Sequence, residues 1–595
     1  MDPAVDPSSL LARADHWLSH DPDPVTRAEL GALLARARAG AADAADALAD
    51  LGDRFAGPLE FGTAGLRGLL GAGETRMNRA VVRRTTYGLG RYLLSQDEAA
   101  ARSRGVVIGY DARRLGRELA EDTACVLAAL GIRARVTPRM CPTPILAFAV
   151  TFLGAVAGVM VTASHNPPAY NGYKVYWGNG AQIIPPHDKG IAAQIAAAPE
   201  GSAVPCPTLA EAEGQGLVSR FGDDVERRYL DAVRALSWRP SGDRSLAIVY
   251  TPLHGMGDRL AHLALAEAGF TGVTSVPEQA EPDGAFPTVA FPNPEEKGAL
   301  DLALALARKR QAKLVIANDP DVDRLALAVR DPQGSYVQLT GNQVGALLGH
   351  YVLSEGPRDG DRLVVASLVS SPMLGVIARA MGVRYEETLT GFKWIANRAM
   401  EVERETGARF VFGFEEALGY CVGRVVRDKD GISAAVLAAE LAAARWAEGK
   451  TLLDELETLA RRYGLFVSGQ RAITMPGQDG LGKIAGIMAH LRASLPERVG
   501  GLRVLGVSDY QARRRTAADG TVTSLSLPAS NVLGFDLTGN SRVIARPSGT
   551  EPKIKFYVDV CEPIGAGEAF DVAERRAADK MEALAAAFVA AAGAG

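Results

Sequence analysis

Apolar residues recur along this chain in two rhythms. Over roughly the first 57 residues they follow a helical spacing in an alanine-rich background. There Thr26 and Glu29, just after Asp23-Pro24, form a capping box for a helix that runs to Arg38. From Gly105 the rhythm changes. Short apolar runs at Val106–Tyr110, Arg133–Val136 and Ala155–Val161 alternate with helical stretches at Leu115–Leu130 and Ile145–Phe152. This alternation predicts βαβ units, hence a parallel sheet covered by helices.

The same pattern returns twice. Strands at Leu246–Tyr250 and Leu314–Ala317, with helices over Asp258–Ala268 and Ala299–Arg310, make a second unit. Strands at Leu363–Ser367, Arg384–Thr388 and Phe410–Phe412, with helices over Met373–Met381 and Lys393–Glu405, make a third. A proline-rich stretch from Pro199 to Pro207 separates the first two, and Asp331-Pro332-Gln333-Gly334 predicts a hairpin turn before the third. Beyond Lys450 the strands lengthen and read as antiparallel, ending in Lys553–Val560 and an alanine-rich helix. The predicted fold is α/β: three similar domains with mixed or parallel sheets, then a C-terminal α+β domain. The boundaries fall at 1–205, 206–335, 336–452 and 453–595.

Composition narrows the class. A length of 595 residues fits about four domains. A net charge of −4 gives no global basic field for nucleic acid or an anionic membrane, and no apolar run reaches a membrane span. The acidic start, Met1-Asp2-Pro3-Ala4-Val5-Asp6, reads as neither a secretory signal nor a transit peptide. Five scattered cysteines without a Cys-x-x-Cys pair fit reduced thiols in a cytoplasm. Only 12 of the 65 basic residues are lysine, so a lysine within a polar loop stands out.

In open α/β sheets, chemistry collects beyond the carboxyl ends of the strands. The run ending at Val161 leads into Thr162-Ala163-Ser164-His165-Asn166-Pro167-Pro168, where the prolines hold a polar loop open with Ser164 at its tip. Alone, this loop is also compatible with a side-chain-stabilised turn. A Ser-His-Asp hydrolase is disfavoured, because adjacent Ser and His side chains bond poorly and no Gly-x-Ser-x-Gly elbow is present. The run ending at Ala317 leads into Asp319, Asp321 and Asp323, spaced to converge on one side. Three close carboxylates call for a cation, and oxygen-only ligands favour Mg²⁺. A calcium EF-hand fails its own register, with Arg324 where Gly is needed and Arg330 where Glu is needed. The run ending at Phe412 leads into Glu415 and Glu416, two carboxylates suited to sugar hydroxyls. Lys429 follows in Arg427-Asp428-Lys429-Asp430-Gly431. Arg546-Pro547-Ser548-Gly549-Thr550 combines a guanidinium, hydroxyls and a glycine-freed backbone able to wrap a phosphate.

In this order the four loops resemble the α-D-phosphohexomutase superfamily, which includes phosphoglucomutases and phosphomannomutases. The resemblance runs from about Gly62 to Val560. It is supported by Phe61-Gly62-Thr63-Ala64-Gly65-Leu66-Arg67-Gly68, Gly109-Tyr110-Asp111-Ala112-Arg113 and Thr390-Gly391-Phe392-Lys393. It implies four domains around a central cleft, each giving one loop, and a mutase working on small sugar phosphates through a sugar bisphosphate intermediate. By the same resemblance Ser164 is the phosphoserine and joins Asp319, Asp321 and Asp323 around Mg²⁺. His165, Lys174 and Lys429 take acid/base or phosphate-contact roles, with Arg67 in the catalytic set. Thr390, Gly391, Lys393, Glu415, Glu416 and Arg324 bind substrate, and Arg546, Ser548, Gly549 and Thr550 anchor its phosphate. One departure concerns the sugar. Hexose enzymes of the family commonly place serine where this chain has Ala417, and the string from Phe414 to Tyr420 is closer to phosphopentomutase-type phosphoglucomutases. Phosphoryl transfer between C1 and C6 of a hexose phosphate is the expected reaction. Ribose 1-/5-phosphate mutase and sugar-bisphosphate synthase are the alternatives.

Overall fold

A computed structural model describes residues 6–39, 43–239, 243–475, 480–494, 496–548 and 552–593. The chain divides into two compact units, Met1–Gln338 with Gly419–Ala443, and Leu339–Leu418 with Ala444–Gly595.

The first unit opens with helices Pro7–His20, Pro24–Arg38 and Ala44–Arg54, packed around Leu10, Leu30, Leu34, Leu51 and Phe55. The second of these is not capped as the sequence predicted. Asp23 is the N-cap, its side chain accepting from Val25 N at 3.0 Å, and Pro24 takes the first helical position. Proline lacks an N–H and its fixed φ suits that position, which hands the cap to the residue before it. Glu29 instead pairs with Arg54 at 2.5 Å.

Two sheets follow in this unit. The first runs Leu66–Leu69, Tyr170–Trp177, Ala157–Val161, Val106–Tyr110, Ala134–Val136, Val218–Arg220. Its centre is parallel and wholly buried, as the apolar runs predicted. Tyr170–Trp177 was not predicted. It returns antiparallel to Ala157–Val161, so the prolines after Ser164 mark a turn between two buried strands. Val218–Arg220 pairs parallel with Ala134–Val136, so the first sheet continues past the proline-rich stretch. The second sheet runs Tyr336–Gln338, Ala326–Arg330, Leu314–Ala317, Ile248–Thr251, Val273–Ser275. The predicted hairpin is present at its edge, with Arg330 opposite Tyr336.

In the second unit, Arg384–Thr388, Arg362–Ser367 and Arg409–Glu415 form a parallel ladder in that spatial order. The C-terminal part is an antiparallel sheet built on Leu465–Thr474, Lys553–Glu562, Arg542–Pro547, Leu533–Leu537 and Leu502–Asp509. Helices Gly480–Ala493 and Phe570–Ala591 cover it through Ile484, Leu491, Met581 and Phe588. Three α/β/α domains and a β-rich C-terminal domain make up the fold.

Candidate active site

The serine loop is held from below. Thr162, at the end of its strand, donates from Oγ1 to Asp111 Oδ2 at 2.6 Å and accepts from Ser164 N at 2.8 Å. Ser164 sits in the left-handed region at φ 51°, which costs a non-glycine residue about 1–3 kcal/mol. Arg113 holds it there. Its guanidinium donates to the carbonyl oxygens of Ser164 (2.6 Å), Pro167 (2.9 Å) and Tyr170 (3.1 Å), and also to that of Asn166. Arg113 is buried, pairs with buried Asp111 at 3.4 Å and stands 5.0 Å from the Phe286 ring centroid. Arg67, exposed on Leu66–Leu69, donates to Asn166 Oδ1 at 3.1 Å.

Against Ser164 stands the aspartate loop. Asp319, Asp321 and Asp323 are fully buried and close enough to share one ion. Val322, β-branched, is turned to φ 65°, a strained geometry that makes room for successive carboxylates on one side. Ser164 Oγ donates to Asp319 Oδ2 at 2.8 Å. Lys174, brought in by the unpredicted strand, donates to Asp321 Oδ2 at 2.7 Å and Asp323 Oδ2 at 3.2 Å. Thr143 donates from Oγ1 to the same Asp321 Oδ2 at 2.7 Å and from its N–H to the Asp321 carbonyl at 2.9 Å. Lys429 Nζ lies 3.1 Å from Asp323 Oδ2.

Charge is unevenly shared across this cluster. Burial, then Asp321 and Asp323, push the Asp319 carboxyl well above its usual range. Burial would also raise Asp323, but Lys174, Lys429 and Arg324 outweigh it and hold that carboxylate ionised. Burial alone would lower Lys174, yet Asp321 and Asp323 raise it and fix it as an ammonium. Two oxygens remain, Asp321 Oδ1 and Asp323 Oδ1, buried without a hydrogen bond. Buried carboxylate oxygens without donors are costly unless a cation takes them. The donor set is all oxygen, so the site fits a hard divalent ion such as Mg²⁺.

Lys429 is positioned by its neighbour. Asp428 accepts from Tyr176 OH and Gln182 Nε2, both at 2.7 Å, and from Lys429 N at 2.8 Å. Gly431 lets this segment lie against the aspartate loop, since a Cβ there would come within 2.4 Å of the Arg324 carbonyl oxygen. His165 Nδ1 lies 3.2 Å from Ser164 Oγ, and its ring meets Phe291 edge-on. Burial, then Arg324 and Arg67, push His165 well below the ordinary imidazole range, so it is neutral at pH 7.

In the second unit, Glu415 ends its strand and its Oε1 accepts from Gly391 N at 2.9 Å. Gly391, at φ 111°, is the N-cap of helix Phe392–Thr406, with Thr390 just before it and Lys393 in the first turn. Glu416 accepts from Ser367 Oγ at 3.1 Å and Ser370 Oγ at 3.2 Å. Burial and the adjacent Glu415 push its carboxyl up to about 7. Gly341 is required here, because a Cβ would fall 1.8 Å from the Glu416 carbonyl oxygen. Arg546 is the last residue but one of strand Arg542–Pro547, opposite Lys555. Ser548 N donates to the Lys553 carbonyl at 2.7 Å. Gly549 and Thr550 lie outside the described residues.

In the first unit, Ser164, His165, Lys174, Lys429, Arg324 and the three aspartates come together. In the second unit, Glu415 meets Gly391 and Glu416 meets Ser367 and Ser370, while Arg546 lies opposite Lys555 in the C-terminal sheet. Four contributors had no assigned role in the sequence reading. Asp111 and Arg113 stood in a motif after a predicted strand, and an Asp-x-Arg at a strand tip was the available signal. Asp428 flanked Lys429 without a stated task. Thr143, bounded by prolines, carried no signal at all.

The chain matches the phosphoglucomutase/phosphomannomutase α/β/α domain I over residues 58–201, domain II over 227–334 and domain III over 340–463. It belongs to this family. The family's members are phosphomutases, intramolecular phosphotransferases. A Haemophilus influenzae protein named "Probable phosphomannomutase" is 42% identical over 81% of this chain and 93% of its own length. A Mus musculus phosphopentomutase is 35% identical over 92% of this chain and 90% of its own. The crystal structure of a Paramecium phosphoglucomutase, pp63/parafusin, shares the fold with a TM-score of 0.62 at 16% identity. It covers 88% of this chain and 95% of that one.

Proposed function

We propose that this enzyme is a Mg²⁺-dependent phospho-sugar mutase that moves a phosphoryl group between C1 and C6 of a hexose phosphate through phosphorylated Ser164 and a sugar bisphosphate. The observation that carries the reading is Ser164 Oγ, strained forward at a strand tip and 2.8 Å from one of three buried aspartates, the other two of which each keep an oxygen without a donor.

Asp319, Asp321, Asp323 and the Ser164 oxygen would hold Mg²⁺, which when bound supplies Lewis-acid polarisation of the phosphoryl oxygens. Lys174, held as an ammonium, offsets the charge of a phosphate on Ser164, and it donates rather than accepts protons. Neutral His165, with Nδ1 3.2 Å from Ser164 Oγ, would take the proton of the attacking sugar hydroxyl and return it to Ser164 as the O–P bond breaks, with the reverse when that bond forms. Lys429 and Arg67 supply further positive charge toward the transferring group. Arg324, Glu415, Glu416, Thr390, Gly391 and Lys393 would bind the sugar. Arg546 with Ser548, Gly549 and Thr550 would anchor the phosphate that is not reacting, so the bisphosphate can present either end in turn. Five free thiols fit a reducing cytoplasm.

A pentose phosphate substrate is the second reading. Ala417 offers no hydroxyl to a hexose, and the mouse relative matched over most of the chain is named a phosphopentomutase. The test is purified protein with Mg²⁺, a catalytic amount of sugar bisphosphate, and glucose, mannose or ribose 1-phosphate in turn. Hexose 6-phosphate formed fastest supports the first reading and ribose 5-phosphate the second. Net accumulation of bisphosphate would make the chain a synthase. No turnover of any of them would refute a mutase.

A further inference from the structure

A second group of metal-ligating side chains lies in the first unit, apart from the residues described above. His16 and His20 are one turn apart on helix Pro7–His20, with ring centroids 4.4 Å apart. Glu200, immediately before the short turn Gly201–Ala203, brings its carboxylate to the pair. Its Oε2 lies 2.9 Å from His16 Nε2 and 3.6 Å from His20 Nε2. One ligand atom from each residue falls within 4.8 Å of the other two. In a tetrahedral zinc site with bonds of about 2.0–2.1 Å, ligand atoms stand about 3.3 Å apart. The two measured separations fall on either side of that value.

The hydrogen bonding of His20 points the same way. His20 Nδ1 is 2.9 Å from the His16 carbonyl oxygen. A carbonyl only accepts, so Nδ1 donates to it, which turns Nε2 to the Glu200 side. Ser19 Oγ, 2.9 Å from Nδ1, reinforces the arrangement. A ring N–H held on a backbone carbonyl, which leaves the other nitrogen for an ion, is the outer-shell pattern of metal-binding histidines. The three residues border a cavity of about 400 Å³ that Trp17 and Phe55 also line. Charge around the cavity is close to balanced, with Arg13 paired to Glu74 and Arg84 near Glu200.

We infer that His16, His20 and Glu200 form a binding site for a transition-metal ion of the Zn²⁺ class. Its fourth position is open to water or an anion from the cavity. The ion ties the first N-terminal helix to the segment that follows helix His187–Ala196. It is chemically distinct from the aspartate cluster. Two imidazoles and one carboxylate favour zinc or cobalt, whereas three carboxylates favour a hard ion. Because Glu200 lies 180 residues or more from the two histidines in sequence, the folded chain alone presents all three together, and binding stabilises it.

The test uses full-length protein stripped with a chelator and returned to excess Mg²⁺, which occupies the carboxylate loop. Co²⁺ is then titrated against visible absorption, with Zn²⁺ as competitor and a thermal melt at each endpoint. One equivalent of Co²⁺ should bind with the d–d bands of a nitrogen- and oxygen-ligated site, be displaced by Zn²⁺, and raise the melting temperature. His20→Ala and Glu200→Gln should each weaken Co²⁺ binding at least about tenfold. Asp321→Asn should leave it in place, and His20→Ala should leave mutase turnover in Mg²⁺ unchanged. His16→Gln, which keeps a hydrogen-bonding side chain beside Glu200, controls for lost packing and should also lose the bands. No saturable Co²⁺ binding in excess Mg²⁺, equal affinity in His20→Ala and Glu200→Gln, or loss in Asp321→Asn would overturn the assignment and leave a surface His–Glu pair.

Discussion

Arg113→Lys separates the charge of Arg113 from its shape. The ammonium keeps a partner for buried Asp111, so the substitution does not strand a charge. The planar fork is lost. In the structure that fork reaches the carbonyls of Ser164, Pro167 and Tyr170 at 2.6, 2.9 and 3.1 Å while its Cζ lies 5.0 Å from the Phe286 ring centroid. A lysine nitrogen is a single point and cannot serve carbonyls spread over seven residues. Each charge-assisted hydrogen bond contributes about 1.5–3 kcal/mol, and the left-handed turn at Ser164 stores about 1–3 kcal/mol. Losing two such bonds, partly replaced by water, leaves about 2 kcal/mol less to hold the serine forward, which is roughly 30-fold in rate. The measurement is kcat and KM for the sugar phosphate found to turn over, with a Mg²⁺ titration and circular dichroism on the same protein. The expected outcome is kcat down roughly 30-fold, with KM and the Mg²⁺ midpoint each within about threefold, because sugar and metal ligands are untouched. A kcat within about twofold of wild type in a folded variant would show that the loop needs no clamp.

Four further outcomes are expected. Ser164→Ala should lower steady-state turnover at least about 1,000-fold with the fold intact, and a substantial residual rate with added bisphosphate would remove Ser164 as nucleophile. Asp321→Asn should raise the Mg²⁺ requirement about 10- to 100-fold and lower the maximal rate, and wild-type activity indifferent to EDTA would refute the metal loop. Glu416 has its carboxyl raised from 4.5 to about 7, so the folded form holds a proton that the unfolded chain has released between those values. Stability is therefore lost as pH rises through that window, and Glu416→Gln should recover up to about 3 kcal/mol at pH 8 and almost none at pH 4 in urea titrations. Equal midpoint shifts at both pH values would contradict this. Ala417→Ser should shift kcat/KM toward glucose 1-phosphate over ribose 1-phosphate by about 2- to 13-fold, the value of one hydrogen bond to a substrate hydroxyl. An unchanged ratio means that residue 417 does not touch the sugar.

The parallel strands were legible because strands buried on both faces are continuous apolar runs, and their carboxyl ends then point to the loops that carry Ser164, Asp319 and Glu415. Tyr170–Trp177 was not legible for the converse reason. It is a buried strand that contains Asn171 and Lys174, polar residues that an apolar-run criterion excludes. Lys174 is buried because Asp321 and Asp323 receive it, so its placement depends on a loop about 150 residues away. The strained positions follow the same logic. Ser164, Val322 and Leu418 each adopt positive φ at the tip of a functional loop, and none is a glycine. Glycine in those positions would have announced the turn in the sequence. What holds the non-glycine turns is remote: Arg113 on the carbonyls around Ser164, Gly431 N on the Val322 carbonyl, and Gly341 making room beneath Glu416. A strained turn kept in place by tertiary partners leaves no local pattern. The chemistry of this site is therefore readable from its loops, but the geometry that activates it is also written in residues such as Thr143, whose local context gives it no apparent task.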